Sequence, residues 1–149
     1  MDDPRTQMQN ALKEAMLKKD TERRDVIRMA LSAIKQVEVD ERKTLGPEEV
    51  LAVLQREAKT RRESLAEAEK AGRGDLAATE AERLAILETF MPRQLSRDEI
   101  AVLARDAIAQ SGATSAKEMG KVMALLMPKV KGVADGKLVN EVVREMLSS

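Results

Sequence analysis

The chain has 149 residues, enough for one domain or two small ones, with 26 Lys and Arg against 26 Asp and Glu and a formal net charge of zero. It contains no Cys, His, Trp or Tyr, and its one aromatic residue is Phe90. Those absences exclude Cys–His and Ser–His–Asp nucleophiles and the Cys and His ligand sets of zinc and copper sites, and they leave no side chain that titrates unperturbed near neutral pH.

With 43% hydrophobic and 35% charged residues, and only 7 Gly and 4 Pro, the composition predicts an all-helical protein. The opening MDDPRTQMQN lacks the apolar core of a signal peptide, and no run approaches the ~20 apolar residues that span a bilayer. The expectation is a soluble cytoplasmic protein without disulfide, metal, cofactor or membrane contact.

The spacing predicts a first helix over about residues 6–19, with Met8, Ala11, Leu12, Ala15 and Met16 on one face. Asp20 or Thr21 then caps a second helix with the stripe Val26, Ile27, Ala30, Leu31, Ile34 and Val37, and the short link makes the pair an antiparallel hairpin. Residues 43–46 interrupt the pattern. Pro47, followed by Glu48 and Glu49, opens a third helix that stops at Gly72-Arg73-Gly74. Its apolar residues are sparse: Val50, Leu51, Leu54, Ala58, Leu65 and Ala68. Its basic residues Arg56, Lys59, Arg61, Arg62 and Lys70 alternate with glutamates. A solvated helix laced with i,i+4 ion pairs is the plainer reading of this pattern, and an RNA-facing basic stripe is the other.

Asp75 is read as the cap of a fourth helix with a seam of Leu76, Leu84, Leu87 and Met91, ended by Pro92. Phe90 is read as a plug between this bundle and the C-terminal part of the chain. Residues 1–91 carry a net charge of −2 and residues 92–149 a net charge of +2, which sets a domain boundary near Pro92. Ser96 with Glu99 forms a capping box for a fifth helix packed through Ile100, Leu103, Ala104 and Ile108 and ended by Gly112. Ser115 with Glu118 is read as a second box, opening a sixth helix with Met119, Val122, Met123 and Leu126 inward. Asp135 caps a seventh over about residues 137–147, with Leu138, Val139, Val142, Val143 and Met146 inward. The expected fold is a four-helix N-terminal domain, residues 1–91, followed by a compact three-helix domain, residues 92–149.

No pair of carboxylates is singled out for acid–base work, Ser96 and Ser115 are explained by helix capping, and no phosphate-binding glycine motif is present. One segment does stand out. Residues 120–136, GKVMALLMPKVKGVADG, hold Lys121, Lys129 and Lys131, with Lys117 before and Lys137 after, opposed by Glu118 and Asp135. The excess is +3 on what reads as a short loop flanked by helices. Gly132 and Gly136 allow close backbone approach, and the start of the last helix offers N–H groups to an anion, so the segment reads as a phosphate-backbone site. The same residues also read as a glycine turn, a capping aspartate and solvated lysines.

MGKVMALLMPKVKG followed by ADGKLVNEVV resembles the signature of the YqeY family, whose members are similar to the C-terminal tail of the GatB subunit of the tRNA-dependent amidotransferase. VIRMALSAIKQVEV, LQREAKTRRESLAEAEKAGRGDLA and LETFMPRQLS also match the family's pattern, so the resemblance spans about residues 6–148. It implies an all-helical two-part fold and a tRNA-contacting accessory, with amide hydrolysis and ATP-dependent activation lying on other domains or subunits. The family's carbon–nitrogen ligase label, with glutamine as amide donor, reads as an inheritance from the larger enzyme. With Phe90 as sole aromatic, base stacking is excluded and any RNA must be read through shape and phosphate. The expected RNA contacts are Lys117, Lys121, Lys129, Lys131 and Lys137, with Gly132 and Gly136 shaping the loop. Asn140 is either a hydrogen-bond donor to RNA or a buried bridge from helix to loop. The alternatives to tRNA binding are a protein-interaction module, using the charged third helix and the Met-rich C-terminal part, and an accessory subunit of an amidotransferase.

Overall fold

The computed structural model describes residues 3–148, which are all-helical and contain no strand. The helices are α1 (Pro4–Leu17), α2 (Thr21–Glu41), α3 (Pro47–Lys70), α4 (Gly74–Glu88), α5 (Arg97–Ser111), α6 (Met119–Val130) and α7 (Gly136–Ser148), with a 3₁₀ turn over Ala116–Glu118. The chain divides into two compact units, Met1–Pro92 and Arg93–Ser149.

In the first unit, α1 begins earlier than periodicity predicts. Asp3 caps it by accepting from the Arg5 N–H at 2.9 Å, and Pro4 takes the first helical position, where its missing N–H costs nothing. The helix ends at Leu17, and Lys19 adopts φ 56° to turn the chain. Asp20 then caps α2, accepting from the Arg23 N–H at 3.1 Å. α3 starts at Pro47, as the sequence predicts. Its Arg61 donates to Glu80 on α4 at 2.9 Å, so this basic residue ties two helices together and does not lace its own. The start of α4 differs from expectation: Arg73 occupies the cap position, and Asp75 lies inside the first turn, where its charge complements the helix dipole. α4 also ends at Glu88, before Pro92, and the Thr89 hydroxyl donates to the Ile86 carbonyl at 2.7 Å. Leu76, placed in the seam by spacing, is 45% exposed.

Ile27, Ile34, Val50, Leu54 and Leu87 form the centre of this unit's core. Val53, absent from the predicted stripe, is buried there too. Phe90 belongs to the same core, with the Arg23 guanidinium 5.4 Å from its ring centroid, and so is part of the first unit's interior. The edge of the unit is clamped by charge. Glu38 accepts from Arg5 at 2.6 and 3.1 Å and from the Leu45 N–H at 2.8 Å, which joins the start of α1, the end of α2 and the loop after it. The Arg5 hydrogen bond, reinforced by that amide, lowers the Glu38 carboxyl to about 2.

In the second unit, the capping box of α5 is present as predicted: the Glu99 N–H donates to Ser96 Oγ at 3.2 Å and the Ser96 N–H to Glu99 Oε1 at 3.1 Å. Arg93 forks onto the same carboxylate at 2.9 and 2.6 Å, and this bond, with the Ser96 amide, lowers Glu99 to about 2. Gly112 ends α5 with φ 71°, the left-handed conformation that glycine adopts without strain. The second predicted box does not form. Ser115 makes no side-chain cap bond, residues 116–118 wind as a 3₁₀ turn, and α6 opens only at Met119. Ile100, Ala104, Val122, Leu126, Val139 and Val143 are among the core residues.

Candidate nucleic-acid interface

Of the segment read as a short loop, residues 120–130 belong to the helix that the inward stripe Met119, Val122, Met123 and Leu126 predicts. α6 runs through Lys121 and Lys129 to Val130, and the true loop is residues 131–135. Pro128 sits inside α6, near its end. The hydrogen bond a proline removes would go to the carbonyl four residues earlier, that of Ala124, an exposed residue, so water can take the place of the missing donor.

The loop is held in place from two directions. The Val133 and Ala134 N–H groups donate to the Val130 carbonyl at 3.0 and 3.1 Å, closing a turn around Gly132 at φ 83°. From the stretch before α5, the Leu95 N–H donates to the Val133 carbonyl at 2.7 Å and the Gln94 side-chain amide to the Gly132 carbonyl at 3.2 Å. Two stretches that sequence reading treats separately, PRQLS and KVKGVADG, are thus bound to each other. Nothing in the local pattern of either stretch signals this, because the bonds run to backbone carbonyls far along the chain.

Lys117, Lys121, Lys129, Lys131, Lys137 and Asn140 are all exposed. Lys129, Lys131 and Gly132 lie at the end of α6 and the start of the loop, while Gly136, Lys137 and Asn140 occupy the first turns of α7. Lys117 and Lys121 stand at the opposite end of α6, and Lys121 lies 4.0 Å from Glu118. Lys117, Lys129, Lys131 and Lys137 have no ion-pair partner among the described residues. Exposure of Asn140 overturns the reading of it as a buried bridge. Arg144, missed in the sequence, shares the outer face of α7 with Lys137 and Asn140, and their i, i+3, i+7 spacing carries the signal that could have found it.

Two parts of the expected anion site look different in three dimensions. One of the first N–H groups of α7 already has a negative partner: Asp135 Oδ1 accepts from the Lys137 N–H at 3.2 Å. A Cβ added at Gly132 or Gly136 would meet nothing within 4 Å, so the need for glycine is conformational and holds at Gly132 alone, through its positive φ. The candidate interface therefore consists of side-chain cations around an ordered loop.

The displaced carboxyl groups, those of Glu14, Glu38, Glu49 and Glu99, are all displaced downward, each chiefly by a hydrogen bond from a lysine or arginine. A general acid needs the opposite shift. A recess lined by Val26, Met29, Glu57, Arg61, Arg83 and Leu87 has room for about one water molecule. Among the described residues no group of three or more acidic side chains is arranged to hold a metal ion, and no helix is long and apolar enough to cross a membrane.

No curated protein matches the chain significantly. The model of one protein family, described as YqeY-like protein, matches residues 5–147. That match takes in both compact units, the PRQLS and KVKGVADG stretches that bond to each other, and each of the exposed cations around Gly132. This chain belongs to the YqeY-like family.

Proposed function

We propose that this chain is a non-catalytic, cytoplasmic accessory of tRNA-dependent amide transfer that binds folded tRNA through shape and phosphate contacts. The observation that carries the reading is the set of exposed cations around the Gly132 loop. Lys129, Lys131 and Lys137 have no ion-pair partner among the described residues, in a protein of zero net charge. These three supply the central phosphate contacts, Lys117 and Lys121 extend them along α6, and Asn140 donates a hydrogen bond beside them. Gly132 sets the turn, and Gly136 opens α7 without a side chain. Family membership supports a GatB/YqeY-type role. The change of compact unit between Pro92 and Arg93 supports reading residues 1–91 as a four-helix domain and residues 92–149 as a three-helix domain that carries the interface.

A shape-and-phosphate reader draws its affinity from released counterions, so binding weakens steeply with salt. The test is a fluorescence titration of folded tRNA against heparin over a range of salt concentrations. Folded tRNA is expected to bind more tightly than the control polyanion, and Lys129→Glu with Lys131→Glu is expected to lower affinity by more than about tenfold and flatten the salt slope. Equal binding of tRNA and heparin removes the specificity, and retained affinity in the double variant removes these lysines from the site. Amide transfer by the purified chain supplied with glutamine, ATP and misacylated tRNA would overturn the non-catalytic reading.

A further inference from the structure

α6 is the helix whose charged side chains are all lysine and whose solvent face is mostly apolar. Val122, Leu126 and Val130 fill the core from one side of it. On the other side Gly120, Ala124 and Pro128 form an exposed i, i+4, i+8 row, with Met127 beside it. The neighbouring row is Lys121, Leu125 and Lys129, and Leu125 and Met127 are 38% and 36% exposed. Helices that are apolar on every side belong in interiors, yet the outer half of this one is open to solvent.

The chemistry of the two rows selects among occupants. RNA needs hydrogen-bond donors for its sugars and phosphates, and the side chains of Gly120, Ala124, Leu125, Met127 and Pro128 offer none. A second copy packed face to face would bring the lysine rows together, and like charges at that range repel. An acidic amphipathic helix meets neither obstacle. Its apolar ridge fits the shallow row of Gly120 and Ala124, where small side chains let two helices approach, and Met127 adapts to the ridge's shape. Its carboxylates then reach Lys121 and Lys129, about 12 Å apart along the α6 axis.

We propose that the outer face of α6 docks an acidic amphipathic helix of a partner protein, with apolar side chains on the row of Gly120, Ala124 and Pro128 and carboxylates on Lys121 and Lys129. Lys121 and Lys129 serve either ligand, so the helix and tRNA compete for them, while Ala124, Leu125, Met127 and Pro128 belong to the docking surface alone.

The test is an NMR titration of the labelled full chain with a synthetic helical peptide carrying Leu at i, i+3, i+4 and i+7 and Glu on its remaining faces, beside a scrambled peptide of the same composition. Shifts are expected to concentrate on residues 119–131, and the scrambled peptide is expected to bind at least about tenfold more weakly. Ala124→Arg adds positive charge but obstructs the apolar row, so it too is expected to weaken the amphipathic peptide by at least about tenfold. Both Ala124 and Met127 are exposed, and arginine is a good helix former, so Met127→Arg supplies the same reading at a second position. Equal affinity for the two peptides, undiminished binding by both arginine variants, or shifts centred outside α6 would reduce the effect to charge attraction and overturn the proposal. Shifts at Ala124 and Met127 on raising protein concentration alone would assign the face to a second copy, and weaker tRNA binding in both arginine variants would assign it to RNA; either overturns the proposal.

Discussion

The two compact units are built from the same kind of helix but use charge in different ways. In Met1–Pro92, arginines reach across helices to glutamates: Arg5 to Glu38, Arg61 to Glu80 and Arg83 to Glu22. In Arg93–Ser149, Arg93 and Arg97 also pair, with Glu99 and Glu145, but the lysines from α6 onward stay in solvent. Arginine's planar fork suits a fixed carboxylate partner, while a lysine ammonium on a flexible stem suits a mobile or external one. Net charge, −2 in residues 1–91 and +2 in residues 92–149, registers this only faintly. Residue type and pairing register it clearly.

The hardest test of the comparison is whether each unit stands on its own core. Leu54 in the first and Leu126 in the second are both fully buried. Replacing either by Ala is expected to cost about 2–5 kcal/mol, because the buried atoms are lost and a cavity remains. Native-state hydrogen exchange reads the outcome locally: Leu54→Ala should speed exchange in residues 4–91 and Leu126→Ala in residues 97–147. Equal acceleration throughout the chain by either variant would make the two units one cooperative block.

A second test separates structural charge from available charge. Arg61 and Glu80 keep only 17% and 14% of their side chains exposed, so Arg61→Gln leaves a largely buried carboxylate with Arg83, at 3.4 Å, as its remaining charged partner among the described residues and is expected to cost about 1–3 kcal/mol in urea unfolding. Lys129→Glu with Lys131→Glu should leave the urea midpoint nearly unchanged while lowering tRNA affinity. The comparison breaks if the lysine pair unfolds the protein or if Arg61→Gln weakens RNA binding at unchanged stability.

Acid sharpens the same contrast. Glu38 and Glu99 are both held at about 2, below their ordinary 4.5, by arginine. A carboxyl group depressed in the folded state contributes stability that is fully present above its unfolded value, and that contribution is lost as pH falls from about 4.5 through about 2. Urea midpoints are therefore expected to fall across that window, and in Glu38→Gln the midpoint should start lower at neutral pH and fall less steeply. An identical acid slope in Glu38→Gln would remove the Arg5 clamp as its source.

How much was legible in the sequence depends on how local each signal is. The capping box of Ser96 and Glu99, the start of α3 at Pro47 and the end of α5 at Gly112 depend on a few adjacent residues, and each stands where spacing puts it. The cap misplaced at Asp75 and the box that fails at Ser115 show the limit: several nearby residues satisfy the same local pattern, and packing chooses among them. Phe90 with Arg23, Arg61 with Glu80 and Gln94 with Gly132 join residues far apart in the chain, where no periodicity points. For the candidate interface, the lysines and the turn at Gly132 were legible. The helix through Met119 and Leu126 was legible too, but its continuation past Pro128 to Val130 was not, because Pro128 and the lysines beside it carry the marks of a loop.

The smallest expected effects lie in the turns, and they too differ between units. The first unit places Lys19 at φ 56° and Arg42 at φ 55° beside Gly72 at φ 69°, while the left-handed positions of the second, among the described residues, are both glycine, Gly112 and Gly132 at φ 71° and 83°. A side chain in the left-handed region costs about 1–2 kcal/mol, and glycine there avoids that cost but gives up about 0.5–1 kcal/mol of unfolded-state entropy. Lys19→Gly and Arg42→Gly are accordingly each expected to stabilise by about 0.5–1 kcal/mol, the difference between those two terms. Gly132→Ala runs the comparison in reverse and should destabilise by a similar amount through backbone strain alone, since nothing stands within 4 Å of the added Cβ. Its effect on RNA binding is the more telling readout. The Gly132 and Val133 carbonyls accept from Gln94 and Leu95, so a strained turn would move Lys131 and Lys137 relative to each other. If tRNA affinity falls in Gly132→Ala while urea stability falls only slightly, loop geometry contributes to recognition. Unchanged affinity would leave recognition to the lysines alone, wherever the loop carries them.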